Sequence, residues 1–177
     1  MKSASFYRCT GVMLIAFLSS IAPVPGWAAS PPHLRLMPLP AQMTLGDGKM
    51  VIEADFRVAL SGYQEPRIQN AVGRFLQRLQ DRTGVPFSGE PLTSAEKATF
   101  IVNCEAAGEA VQSVRADESY SLEIAPNRAR LSAPSPLGIV RGLETFLQLV
   151  DIDGESLGVP AVKISDHPRF PWRGLMI

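Results

Sequence analysis

Neither sign of charge is in excess: 17 Lys and Arg stand against 17 Asp and Glu. Nucleic-acid binding needs a clustered basic surface, so no nucleic-acid partner is expected. Cysteine is scarce, two residues in 177, which excludes a disulfide scaffold and a zinc site of paired cysteines. His33 and His167 are the only histidines, and neither has a second His or Cys at ligand spacing. No metal or cofactor is expected. No internal repeat or biased composition marks a fibre or solenoid. What is present is a 46% hydrophobic chain, too apolar for disorder and long enough for about one domain with a piece of another.

The first 28 residues read as a leader. Lys2 and Arg8 precede an apolar run from Val12 to Ile21, followed by Pro23, Pro25 and Gly26-Trp27-Ala28-Ala29. That order of charged, apolar and small-residue regions is a secretory signal, with Gly26 and Ala28 at the −3 and −1 positions. The run is shorter than the roughly 20 residues of a spanning helix. Cleavage after Ala28 leaves 15 basic and 17 acidic residues. The protein is expected to be exported, to the periplasm or beyond, with no membrane partner once the leader is removed. Cys9 leaves with it. Cys104, beside Phe100-Ile101-Val102, reads as a buried small hydrophobe, and no intramolecular disulfide remains.

Further on, four prolines between residues 31 and 40 mark an extended lead-in. Gly46-Asp47-Gly48 predicts a hairpin between Met43–Leu45 and Met50–Ile52. Phe56, Val58 and Leu60 alternate as in a half-buried strand. A helix is predicted from Glu65 to Thr83, since Ile68, Val72, Phe75, Leu76 and Leu79 share one face, with Pro66 at its start and Gly84 past its end. Thr99–Asn103 reads as a central strand. Tyr120, Leu122 and Ile124, then Pro126-Asn127, then Ala129, Leu131 and Ala133 read as a second hairpin. A second helix begins at Ser135 with Pro136 at its first position, and Arg141 and Glu144 are placed to pair on its surface. The expected class is α+β: a small mixed sheet with two amphipathic helices on one face.

The candidate chemistry is thin. Asp151-Ile152-Asp153-Gly154-Glu155 places Ser156 and Val162 where a calcium loop needs Gly and Glu, so it reads as a solvated turn. Asp166-His167 has no Gly-x-Ser-x-Gly partner to make a triad and reads as a capped turn before Pro168. Gly138 and Gly142 lie in a helical pattern, not a phosphate loop. Asp117 and Glu118, adjacent on an incoming strand, point to opposite sides and make a poor dyad. No catalytic residue is assigned.

Four segments, in order, resemble the N-terminal part of the β-N-acetylhexosaminidases, the family 20 glycoside hydrolases. They are Met37-Pro38-Leu39-Pro40, Asp117-Glu118-Ser119-Tyr120-Ser121-Leu122, Arg141-Gly142-Leu143-Glu144-Thr145-Phe146-Leu147-Gln148-Leu149, and the run from Asp166-His167-Pro168-Arg169-Phe170 through Pro171-Trp172-Arg173-Gly174-Leu175-Met176. The resemblance implies a small α/β domain over residues 29–155. A linker and the first strand of a (β/α)8 barrel would follow over residues 156–177, with the barrel cut off at Leu175-Met176-Ile177. It implies hydrolysis of terminal N-acetylglucosamine or N-acetylgalactosamine by substrate-assisted retention, on amino-sugar glycans or chitooligosaccharides. The Asp-Glu pair for that chemistry belongs to the barrel, so this chain alone is expected to be inactive. Arg173 matches the arginine that binds sugar hydroxyls. The same small domain precedes the barrel of α-glucuronidases, and a secreted non-catalytic carbohydrate-binding or scaffold module is the alternative from another class.

Overall fold

The computed structural model describes residues 34, 36–87, 91, 92, 94–153 and 156–170. The leader and the stretch holding Trp172 and Arg173 lie outside them. Among the described residues, seven strands and two α-helices follow one another as β1 (Gln42–Val51), β2 (Val58–Gly62), α1 (Pro66–Thr83), β3 (Phe100–Cys104), β4 (Tyr120–Ala125), β5 (Arg128–Ala133), α2 (Pro136–Leu149), β6 (Asp151–Asp153) and β7 (Ser156–Asp166). The sheet runs β1-β7-β4-β5-β3-β2, with β6 beside β7. β2, β3 and β5 are mutually parallel, and the other pairings are antiparallel. The class is mixed α+β.

Both helices form where the apolar spacing predicts. α1 buries Ile68, Val72, Phe75, Leu76 and Leu79, the single face of a 3.6-residue period. It ends at Gly84, which takes the left-handed conformation at φ 72° while its N–H bonds Gln80 O at 2.7 Å, a conformation a side chain would resist. α2 starts at Ser135, whose hydroxyl accepts from the N–H groups of Leu137 and Gly138, so two of the helix's orphan donors are satisfied. Its apolar face meets α1 and the sheet in one core. There Phe100 and Phe146 stack with centroids 4.8 Å apart, and Phe75 meets Phe146 edge-on at 5.4 Å. From the sheet, Val102, Leu122, Leu131 and Ile164 face the same core.

Three expectations change. The Gly46-Asp47-Gly48 segment is not a hairpin. β1 runs straight through it, pairing Gln42–Leu45 with Val162–Ser165 and Lys49–Val51 with Gly158–Pro160 across a bulge. Two three-residue arms closed on each other would be marginal, whereas the eleven-residue β7 partners both at once, and Gly48 at φ 85° absorbs the irregularity. The stretch from Ser156, expected as a linker, is β7 up to Asp166, held between β1 and β4. Finally, Arg141 and Glu144 do not pair with each other. Arg141 Nε lies 2.6 Å from Glu118 Oε2, and Glu144 pairs with Arg78 of α1.

Glycine explains how closely α2 approaches the sheet. A Cβ on Gly142 would collide with the Leu131 side chain of β5, and one on Gly138 with the carbonyl oxygen of Ser119. These glycines are packing devices.

Candidate functional site

A cleft of about 560 Å3 opens beside the N-terminal lead-in and the end of β7. All four segments that carry the family resemblance contribute to it: Met37, Pro38 and Leu39; Glu118 and Tyr120; Arg141, Glu144, Thr145 and Gln148; Asp166 to Phe170. The topology brings them together. β4 and β7 are neighbours, α2 lies over them, and Gln148 Oε1 accepts from the backbone N–H of Met37 at 2.9 Å.

The floor is a hydrogen-bonded chain. The Tyr120 hydroxyl is 2.6 Å from Thr145 Oγ1 and 3.3 Å from Asp166 Oδ2, and Thr145 in turn donates to the Arg141 carbonyl at 3.2 Å. Tyr120 and Thr145 carry one hydroxyl proton each, so two protons are shared among these three contacts. Burial, foremost, pushes the Tyr120 phenol up to about 12. Asp166 Oδ1 also accepts from the N–H of Ala41 at 2.9 Å. It therefore ties the start of β1 to the end of β7, a long-range bond where a local capped turn is expected. His167 beside it is exposed.

The carboxylates are committed to structure. Asp117 accepts from Ser119 N at 2.8 Å, and the Ser119 hydroxyl and N–H hold its carboxyl below the usual range. Glu118, its side chain 11% exposed, pairs with Arg141, and Glu144 with Arg78. Asp117 and Glu118 thus have separate structural partners. Among the described residues, no group of three His, Cys, Asp or Glu residues is placed to hold a metal ion, and no helix is long and apolar enough to cross a membrane. Cys104 is buried. Its thiol donates to Ala106 O at 3.2 Å, and burial raises its pKa. This is the small hydrophobe expected from its neighbours. Arg173 lies outside the described residues, three positions past Phe170. Sequence reasoning named segments of the cleft but not the Tyr120–Thr145–Asp166 chain. The signal was there: all three residues fall inside segments that carry the resemblance.

A small mixed sheet with two helices and this cleft between them and the lead-in define a small α+β domain. Residues 36–149 match the family model described as beta-acetyl hexosaminidase like, and the chain belongs to that family, as an N-terminal region of the family 20 glycoside hydrolases. It is 30% identical over 153 residues to beta-hexosaminidase subunit A1 of Dictyostelium discoideum, covering 81% of this chain and 26% of that protein. With the chitooligosaccharidolytic beta-N-acetylglucosaminidase of Ostrinia furnacalis it shares 31% identity over 132 residues, 70% of this chain and 22% of that one. Among solved structures, the chitobiase of Flavobacterium johnsoniae superposes with a TM-score of 0.75 at 41% identity, over 81% of this chain and 22% of its own. The chain therefore spans about a quarter of the length of these relatives.

Proposed function

We propose that this chain is the non-catalytic N-terminal domain of an exported β-N-acetylhexosaminidase, and that a (β/α)8 barrel follows it in the whole enzyme. The observation that carries the reading is the family match over residues 36–149. The whole enzyme removes terminal N-acetylglucosamine or N-acetylgalactosamine from glycans or chitooligosaccharides. The sugar's acetamido oxygen attacks the anomeric carbon, a barrel Glu protonates the leaving oxygen and then deprotonates water, and a neighbouring Asp orients the acetamido group. Arg173, at the start of the first barrel strand, binds sugar hydroxyls through its rigid fork of donors. Residues 1–28 direct export and are cleaved after Ala28.

A stand-alone sugar-binding module fits the cleft less well. Tyr120, Arg141, Glu144 and Gln148 are already engaged within the domain, and among its described lining residues Phe170 is the one exposed Phe, Tyr or Trp ring.

The test is the product. The longer polypeptide, incubated with an aryl N-acetyl-β-glucosaminide, should release N-acetylglucosamine whose first-formed anomer by proton NMR is β. A folded long polypeptide that releases no amino sugar refutes the reading.

A further inference from the structure

We draw no further inference here: the strongest candidate, the edge strand β1 with Met43, Leu45 and Val51 exposed along it, is interrupted by a bulge between Leu45 and Lys49, and nothing in the structure shows what covers it.

Discussion

Arg141 on α2 and Glu118 ahead of β4 meet at 2.6 Å between Nε and Oε2, bridging the helix to the strand beneath it. Glu118 is the less exposed partner, 11% against 49% for Arg141, so the cost of breaking the pair falls on the carboxylate. Arg141→Ala is expected to destabilise the 177-residue protein by about 1 kcal/mol, since the open side of the pair is screened by solvent. A double-mutant cycle with Glu118→Gln, read from urea unfolding, should give a coupling of roughly 0.5–1 kcal/mol that shrinks with added salt. A coupling of zero would mean the pair contributes nothing to folding.

The helical glycines make opposite predictions from the same substitution. Gly→Ala in a helix ordinarily stabilises by about 0.5–1 kcal/mol. Gly73 on α1 has open space where a Cβ would go, so Gly73→Ala should raise stability by that amount. Gly142→Ala should lower it by about 1–3 kcal/mol, because the new methyl meets Leu131 in a packed core and forces it to move. Thermal melts of the two variants against the parent should move in opposite directions.

Tyr120 couples the cleft floor to alkaline pH. Its phenol sits at about 12 in the folded chain, against the usual value near 10. A raised folded pKa means the neutral form is favoured in the native state. The associated stability is fully present below pH 10 and is lost as pH rises from about 10 to 12. Two units correspond to about 2–3 kcal/mol. Tyr120→Phe removes this titration and also the bonds to Thr145 and Asp166, costing about 1–2 kcal/mol at neutral pH. The gap in unfolding free energy between parent and variant should therefore narrow or reverse between pH 10 and 12. A constant gap would contradict the burial of the phenol.

Arg173 is tested in the longer polypeptide. Arg173→Lys keeps the charge but loses the fork. It should lower kcat/KM by roughly 10²-fold, about 3 kcal/mol of transition-state stabilisation, with little change in melting temperature. An easily unfolded variant with near-normal kcat/KM would assign Arg173 to structure.

Local rules carried the helices. Pro66, Gly84, Ser135 and Pro136 placed their ends, and the spacing of Ile68 through Leu79 placed a buried face. What escaped them was long-range. Gly46-Asp47-Gly48 signals a turn to any local rule, and only the presence of β7 more than a hundred residues later converts it to a bulge. Arg141 had Glu144 within reach on its own helix, yet each found its partner on another segment, Glu118 and Arg78. The cleft is long-range throughout, since Tyr120, Thr145 and Asp166 meet only after the sheet has formed.

The proposed role is that of a domain that accompanies a hexosaminidase without performing its chemistry. Release of 4-nitrophenol from its N-acetyl-β-glucosaminide, measured in parallel for the purified 177-residue protein and the longer polypeptide, tests it most directly. No release above a heat-killed control is expected from the first, and steady turnover from the second. Turnover by the 177-residue protein, or none by a folded long polypeptide, would contradict it.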